Sequence, residues 1–227
     1  MSASPSIKTV LFDLDGTLLD TAPDFAVSLN LLRQRYHLPE LDYDQIRLTV
    51  SHGARALITL AFGLNEGDDK FDTLRLELLD IYSQHLSVNT APFPGIEPLL
   101  AELEQRQIAW GVVTNKPRVY TIPILEALGL YTRAQSIVCP DDVSRTKPDP
   151  EPLFLACNQI QCEPAHCVYI GDHQRDIEAG KRAGMTTIAT AYGYVAPTDK
   201  IEDWQADYCV YHAREILPLL FPIFINT

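Results

Sequence analysis

The chain has 227 residues, of which 46% are hydrophobic, and this is enough for one well-formed core and a smaller lobe. Its formal net charge of -12 argues against nucleic acid and anionic membrane surfaces as partners. Five cysteines without a CxxC pair indicate reduced structural thiols in the cytoplasm, and they argue against a zinc site or a disulfide framework.

A helical insertion is predicted directly after the first strand. Residues 1–6 lack the basic and apolar segments of a secretory signal, and residues 9–12 form an apolar run typical of a buried strand. Apolar side chains then recur at helical spacing over residues 25–36, 54–62 and 74–86. No convincing strand lies between Asp20 and Asn89, so this segment cannot belong to the sheet and we expect it to act as a lid.

Strands and helices are predicted to alternate beyond residue 92. The strands fall at residues 108–113, 136–138, 167–170, 186–190 and 208–211. The helices fall at residues 97–106, 122–125, 153–160 and 177–183. This alternation predicts an α/β fold in which a parallel sheet carries helices on both faces. The apolar tail, residues 216–225, is too short to span a bilayer and is expected to pack on the core.

The first strand ends in two carboxylates, Asp13 and Asp15. Like charges about 4 Å apart repel by roughly 4 kcal/mol at an effective dielectric of ~20. A site that tolerates this repulsion holds a cation or keeps one acid protonated. The alternative is an Asx-rich turn without chemistry.

Polar residues also follow two later strands. Thr114 and Asn115 follow one, and Asp172 follows another, with Asp176 one helical turn on and Lys147 between them in the chain. Ligands of open α/β sheets bind beyond the carboxyl ends of the strands, so groups distant in sequence can converge there. Taken singly, Thr114-Asn115 or Asp172 could cap a helix, and Lys147 could be a solvated lysine.

Together these motifs resemble the haloacid dehalogenase superfamily, in its phosphatase branch. The segments that carry the resemblance are Asp13-Leu-Asp-Gly-Thr, Val112-Val-Thr-Asn115, Lys147-Pro148 and Gly171-Asp-His-Gln-Arg-Asp176. The resemblance covers nearly the whole chain. It implies a Rossmann-like, doubly wound core of residues 1–20 and 90–227, with residues 21–89 as an inserted α-helical type 1 cap domain. His173 departs from the small or acidic residue that relatives often carry at this position.

The resemblance also implies catalytic roles. Asp13 would be the nucleophile that forms an aspartyl-phosphate, and Asp15 would protonate the leaving oxygen and then deprotonate water. Thr114 and Asn115 would bind the phosphoryl oxygens. Lys147 would neutralise the charge that builds on Asp13 and the phosphate.

A magnesium site is implied at the same place, because Mg²⁺ prefers oxygen ligands. Its protein ligands would be Asp13, the backbone carbonyl of Asp15, and Asp172, and Asp176 would bind the water ligands of the ion. The expected partner is a small-molecule phosphate monoester, with no nucleic acid and no membrane. We expect a cytoplasmic monomer or weak dimer.

The substrate is expected to carry a carboxylate as well as a phosphate. Arg55 lies near the start of a predicted helix of the insertion, where it could bind a carboxylate bidentately; a surface arginine is the alternative. Segments such as Gly53-Ala-Arg-Ala and Tyr192-Gly-Tyr194 resemble the phosphatases that act on N-acetylmuramic acid 6-phosphate in cell-wall recycling. Asp20-Thr-Ala-Pro-Asp24 resembles the 2-phosphoglycolate phosphatases, which are the second expectation.

Three less favoured functions remain as alternatives. A haloacid dehalogenase needs neither a metal nor the second acid, and a sugar-phosphate mutase usually carries Val or Ile where Thr17 stands. A non-catalytic binding module would be expected to have lost one of the four motifs. Activity on a generic phosphate ester, with and without Mg²⁺, separates the phosphatase from the binding module.

Overall fold

The computed structural model describes residues 7–221, so the predictions for residues 1–6 and for the end of the apolar tail lie outside the described residues. Within this range the strands are β1 (Thr9–Phe12), β2 (Leu19–Asp20), β3 (Ala91–Pro92), β4 (Ala109–Val113), β5 (Ser136–Val138), β6 (Cys167–Gly171), β7 (Thr186–Thr190) and β8 (Tyr208–Val210). The α-helices are α1 (Ala22–Arg35), α2 (Tyr43–Val50), α3 (Gly53–Phe62), α4 (Phe71–Ser83), α5 (Ile96–Gln105), α6 (Arg118–Ala127), α7 (Glu151–Ile160), α8 (Gln174–Arg182) and α9 (Ile216–Leu220).

A parallel sheet with the strand order β5-β4-β1-β6-β7-β8 forms the centre of the molecule. Every strand predicted from the sequence belongs to it, so the predicted α/β fold is confirmed. Phe12 of β1 lies opposite Val112 of β4 on one side and Ile170 of β6 on the other. These three strands therefore end side by side, and the residues that follow them meet at one edge of the sheet.

The central strands are buried on both faces. Val10 and Phe12 of β1 pack into the apolar cluster that contains α5 and α6, whereas Leu11 packs into the cluster that contains α7 and α8. Successive side chains of a strand point to opposite faces, so a strand covered on both sides is largely apolar along its whole length. This explains why Val10–Phe12 of β1 and the residues of β4 are continuous apolar runs in the sequence.

The helices α1 to α4, which we call the helical block, lie between β2 and β3. These two short strands pair antiparallel, with Asp20 opposite Ala91, so the chain enters and leaves the block at the same place. The spacing in the sequence predicts α1, α3 and α4. It does not predict α2, because only Ile46 and Val50 of this helix are buried. β2 and β3 have two residues each, which is too short for any periodicity.

Asp24 of α1 connects the segment that enters the helical block with the segment that leaves it. Its buried carboxylate accepts hydrogen bonds from the backbone N–H groups of Asn89 and Thr90, at 2.8 and 3.0 Å. The side chains of the same two residues donate to it at 3.0 and 2.7 Å. Four donors compensate the burial of this charge, so the start of the block is fastened to the segment that leaves it.

Among the described helices, none combines the length and the apolarity that crossing a bilayer requires. The cysteines are free thiols, as predicted. Three of them pack together, with the Sγ of Cys167 3.5 Å from that of Cys157 and 3.6 Å from that of Cys162.

Candidate active site

The sequence-predicted residues converge at the carboxyl edge of the sheet. Asp13, Thr114 and Asp172 directly follow β1, β4 and β6, which are neighbouring strands. Lys147 reaches the same edge from the segment after β5, which is the next strand along. The topology therefore brings together residues that are up to about 160 positions apart in the chain.

Lys147 lies at the centre of a buried ionic cluster. Its Nζ is 2.8 Å from Asp13 Oδ1 and 2.8 Å from Asp176 Oδ1, and it also donates to the Val113 carbonyl at 3.0 Å. Carboxylate oxygens of Asp13, Asp172 and Asp176 all lie within 4.8 Å of one another. We call the side chains of Lys147, Asp13, Asp172 and Asp176 the ionic cluster. It contains one cation and three carboxylates.

Burial and the excess of negative charge raise the pKa values of Asp172 and Asp176. Burial, together with Asp13 and Asp176, raises the pKa of Asp172 to about 7. Burial also raises the pKa of Asp176, although Lys147 opposes this shift. Asp172 and Asp176, whose pKa values are raised, form with Asp13 an oxygen-only donor set that a hard divalent cation fits, because the cation would supply the missing positive charge.

Two glycines let the backbone lie directly against Asp172. A Cβ at Gly16 would lie 2.1 Å from Asp172 Oδ2, and the residue has a φ of +84°, which favours glycine. A Cβ at Gly193 would lie 2.3 Å from Asp172 Cβ. Thr17 Oγ1 and the Tyr194 backbone N–H donate to this carboxylate at 3.2 and 2.8 Å, so its position is fixed from two sides.

The structural alternatives for Lys147, for Asp172 and for the pair Thr114-Asn115 are wrong. Lys147 is 2% exposed, so it is not a solvated lysine. The residue at the N-cap of α6 is Pro117, and that of α8 is His173, so neither Asn115 nor Asp172 is a helix N-cap.

His173 has a structural role that explains its departure from the common motif. Its side chain accepts a hydrogen bond from the Arg175 backbone N–H at 3.2 Å, and its own backbone N–H donates to Asp176 at 3.1 Å. Burial, Arg175 and His52 lower the pKa of His173 to about 4, so the neutral ring is the form that accepts at neutral pH. This residue therefore starts α8 and orients Asp176.

Thr114 and Asn115 are placed beside the ionic cluster. Thr114 Oγ1 accepts from the Lys116 backbone N–H at 3.1 Å, and Asn115 Nδ2 donates to the Lys147 carbonyl at 3.0 Å. Asn115 Oδ1 is buried without a hydrogen-bond partner. A ligand that brings a donor could satisfy this oxygen.

The carboxylate of Asp15 pairs with a lysine that sequence reasoning missed. Lys116 Nζ lies 3.0 Å from Asp15 Oδ1 and donates to the Tyr82 hydroxyl at 2.9 Å. Burial opposes the charge of Lys116, but Asp15 and Tyr82 outweigh it and raise the pKa of this lysine. The sequence does place Lys116 two residues after a polar strand end, and that spacing was the available signal.

A cavity of about 360 Å³ lies between the sheet edge and the helical block. The core contributes Asp13, Asp15 and Thr114 to its lining, among others. The block contributes an aromatic and apolar wall that includes Phe25, Leu79 and Tyr82, and basic side chains also reach the cavity, namely Arg55, Arg75, Lys116 and Arg175. Basic groups so concentrated in a chain of net charge -12 favour an anionic ligand.

Arg55 lines this cavity, but its side chain is 55% exposed and pairs with Glu66 at 2.6 Å. An exposed ion pair of this kind contributes little to stability. Its geometry agrees both with a side chain that can turn toward a ligand and with a surface arginine, so its role in substrate binding stays a prediction.

The sequence of the chain is similar to those of known phosphatases. The sequence matches the family described as haloacid dehalogenase-like hydrolase over residues 10–190. It is 48% identical over 214 residues to an N-acetylmuramic acid 6-phosphate phosphatase of Pseudomonas aeruginosa, covering 94% of this chain and 95% of that protein. It is 39% identical over 203 residues to a phosphoglycolate phosphatase of Xanthomonas campestris pv. campestris, covering 89% and 91% of the two chains.

Solved structures share the fold. A crystal structure described as that of "a predicted phosphoglycolate phosphatase" from Haemophilus somnus superposes with a TM-score of 0.83 at 25% identity, covering 94% of this chain and 97% of that one. A haloacid dehalogenase-like family hydrolase from Streptococcus pneumoniae superposes with a TM-score of 0.80 at 20% identity, covering 94% and 98%. The second match is a likeness of fold alone.

Proposed function

The chain belongs to the haloacid dehalogenase-like hydrolases and is a phosphoric monoester hydrolase, and from this premise we propose that it is a Mg²⁺-dependent phosphatase that works through an aspartyl-phosphate. The observation that carries the proposal is the ionic cluster. It holds a buried, lysine-paired carboxylate, Asp13, at the wall of a cavity lined by basic groups.

In the first step, an oxygen of Asp13 attacks phosphorus and forms a P–O bond, while the bond from phosphorus to the ester oxygen breaks. Asp15 gives its proton to the departing alkoxide. In the second step, Asp15 takes a proton from water as the water oxygen attacks phosphorus, which releases inorganic phosphate and restores Asp13. Lys147 and the polar groups of Thr114 and Asn115 stabilise the charge on the phosphoryl oxygens.

The oxygen donors fit Mg²⁺. Asp13, Asp172 and the backbone carbonyl of Asp15 would hold the ion, and Asp176 would act through bound water. When bound, Mg²⁺ would neutralise the excess negative charge of the carboxylates and of the phosphate dianion. The raised pKa of Asp172, about 7 without a cation, supports this assignment, because burial and then the neighbouring Asp13 and Asp176 disfavour its charged form and a bound cation would favour it.

We further propose that residues 1–20 and 90–227 form the catalytic core, and that residues 21–89 form a cap domain over it. The support is that the chain enters and leaves residues 21–89 through one antiparallel pair, β2 and β3, which can serve as a hinge. Closure would exclude water from the cavity and strengthen the charge contacts inside it.

The proposed substrate is N-acetylmuramic acid 6-phosphate, an intermediate of cell-wall recycling that carries a phosphate, a sugar ring and a carboxylate. A cavity of about 360 Å³ with an aromatic wall has the size and lining for a ligand with a ring. The basic side chains of the block would bind the carboxylate, with Arg55 as the candidate reader. The relative from Pseudomonas aeruginosa, at 48% identity, bears this substrate in its name.

A second candidate substrate is 2-phosphoglycolate. The same basic side chains would bind its carboxylate, and relatives at 39% identity are named for it. This two-carbon acid would leave much of the cavity unfilled, which favours the larger substrate. A dehalogenase is disfavoured because it needs neither a metal nor a second acid, whereas this chain carries Asp15, Gly16 and Thr17 after the nucleophile strand. A mutase is disfavoured because Thr17 stands where mutases usually carry Val or Ile.

The decisive experiment measures kcat/KM for both esters side by side, each with Mg²⁺ and after exhaustive EDTA treatment. We expect activity only with Mg²⁺, and a higher kcat/KM for N-acetylmuramic acid 6-phosphate. A higher value for 2-phosphoglycolate would reassign the substrate. Full activity after EDTA treatment would remove the metal role of Asp172, and no hydrolysis of either ester or of p-nitrophenyl phosphate would favour the binding module.

A further inference from the structure

The loop after β7, residues 192–194, has a sequence that the proposed chemistry does not use. We call Tyr192, Gly193 and Tyr194 the tyrosine loop. It touches three different parts of the molecule, namely the entrance to the helical block, the carboxylate of Asp172 and helix α2.

The hydroxyl of Tyr194 holds the entrance to the block. It accepts hydrogen bonds from the backbone N–H groups of Thr21 and Ala22, at 2.7 and 2.9 Å, and donates to Asp20 Oδ1 at 2.8 Å. A tyrosine hydroxyl has one donor and two acceptor sites, so all of them are used. The two N–H groups lie where β2 ends and α1 begins, and at a helix start such groups lack intrahelical partners.

The backbone of the same loop holds Asp172. The N–H of Tyr194 donates to Asp172 Oδ2 at 2.8 Å. A Cβ at Gly193 would lie 2.4 Å from the Gly16 carbonyl oxygen and 2.3 Å from Asp172 Cβ. The loop therefore lies in direct contact with this carboxylate, and a shift of the loop would move one of its hydrogen-bond donors.

Helix α2 of the block contacts the loop through Arg47. Its Nη2 donates to the carbonyls of Tyr192 and Gly193 at 3.1 and 2.9 Å. Its guanidinium carbon lies 4.9 Å from the centre of the Tyr194 ring. Charge-assisted hydrogen bonds and a cation–π contact thus fasten the block to the loop.

We propose that Tyr194 is a positioning residue that couples the placement of the helical block to the geometry of Asp172. Its hydroxyl fixes the entrance to the block, its ring and neighbouring carbonyls receive Arg47, and its backbone N–H orients the carboxylate. The inference rests on the proposed function in that Asp172 is taken as a ligand of Mg²⁺. If the placement of the block and the geometry of Asp172 are coupled in this way, removing the contacts of Arg47 with the loop should lower the affinity of the Asp172 site for the ion.

The first arm of the test compares Tyr194→Phe with the matched variant Tyr192→Phe. Tyr192 lies in the same loop and donates its hydroxyl to the Thr17 carbonyl at 3.0 Å, away from the entrance to the block. In Tyr194→Phe we expect the amide hydrogen of Thr21 to exchange roughly tenfold faster, because it loses its acceptor, and that of Ala22 to exchange less markedly faster, because Asp20 Oδ1 still accepts from it at 3.3 Å. The KM for the carboxylated ester should rise several-fold with a smaller change in kcat. Tyr192→Phe should leave the exchange of these two amide hydrogens unchanged.

The second arm measures Mg²⁺ binding by calorimetry in Arg47→Gln. Among its described contacts, Arg47 touches none of the four side chains of the ionic cluster. We expect Mg²⁺ affinity to fall several-fold. We also expect the double variant with Tyr194→Phe to lose less affinity than the sum of the two single losses.

Unchanged amide exchange in Tyr194→Phe, or unchanged Mg²⁺ affinity in Arg47→Gln, would overturn the coupling. A purely structural role of the tyrosine would lower the melting temperature but leave the KM and the Mg²⁺ affinity at their original values. If the unmodified protein binds no Mg²⁺, the proposed function fails by itself, and the amide exchange still decides the role of the hydroxyl.

Discussion

The two walls of the cavity are built in opposite ways. On the core side, Asp13, Lys147 and Asp172 are between 2% and 4% exposed and are fixed by short contacts to one another and to the backbone. On the block side, the side chains of Arg55 and Arg75 are 55% and 25% exposed, and each pairs with a more exposed acid. Buried charges keep a single geometry because any misplacement leaves a charge uncompensated, whereas exposed charges are screened and can move. The core wall therefore holds its charges in one geometry, whereas the basic side chains of the block wall can move.

The largest effect is expected from Asp13→Asn, which tests the core wall. Turnover should fall by roughly 10⁴-fold or more, because the nucleophile is lost while the shape of the side chain is kept. The melting temperature without metal should rise, since one of the three clustered carboxylates is neutralised and Lys147 keeps Asp176 as its partner. Calorimetry and a phosphate-release assay measure both effects. A substantial drop in the metal-free melting temperature would contradict the account of crowded carboxylates.

The next effect concerns Lys147→Met, which leaves the carboxylates without their buried cation. We expect turnover to fall by about 10²- to 10³-fold and the free energy of unfolding to fall by roughly 3–5 kcal/mol without metal. Mg²⁺ should restore part of the stability. Lys181→Met, at an exposed position of α8, is the control and should change neither quantity. A stable, fully active Lys147→Met protein would show that the core wall does not depend on its ion pairs.

The pH dependence of metal-free stability and of Mg²⁺ affinity tests the core wall without a substitution. Because the pKa of Asp172 is raised from 3.8 to about 7, its protonated form stabilises the metal-free fold at low pH, and this contribution is lost as the pH rises through 7. Mg²⁺ needs the charged form, so its affinity should fall by up to about tenfold per pH unit below 7. Titration calorimetry between pH 5.5 and 8 measures this. Asp172→Asn should abolish the pH dependence of metal-free stability that this group causes.

Among the substitutions, the smallest effect on catalysis is expected on the block wall, from Arg55→Ala. It should cost about 1.5–3 kcal/mol of transition-state binding for the carboxylated ester, and it should leave p-nitrophenyl phosphate hydrolysis unchanged, since that ester has no carboxylate. Arg35→Ala, at an exposed position of α1, is the control. Equal losses on both esters would mean that Arg55 supports the block. No loss on either would make it an ordinary surface arginine.

The sequence predicts the core wall well and the block wall poorly, for a physical reason. Asp13, Thr114 and Asp172 come directly after buried strands, and an apolar run that ends in a polar residue is visible in the sequence. Arg75 of the block wall carries no such mark, and neither does Tyr194 of the tyrosine loop. Arg75 reaches the cavity from α4, and Tyr194 contacts Thr21 and Arg47, which are more than 140 positions away. Contacts of this kind depend on how separate helices and loops pack, and a periodic pattern does not encode that.

The β2–β3 pair has an evolutionary consequence. Directly opposed residues of an antiparallel pair have Cα atoms roughly 4.5–5.5 Å apart, so Asp20 and Ala91 bring both ends of the inserted segment side by side. A segment whose ends are neighbours can be lengthened, replaced by another, or exchanged between homologues without pulling on the sheet. If the block selects the substrate as proposed, grafting residues 21–90 from a relative with a different substrate onto this sheet should transfer selectivity as one module, provided that the contacts of Asp24 and those of Arg47 with the tyrosine loop are kept.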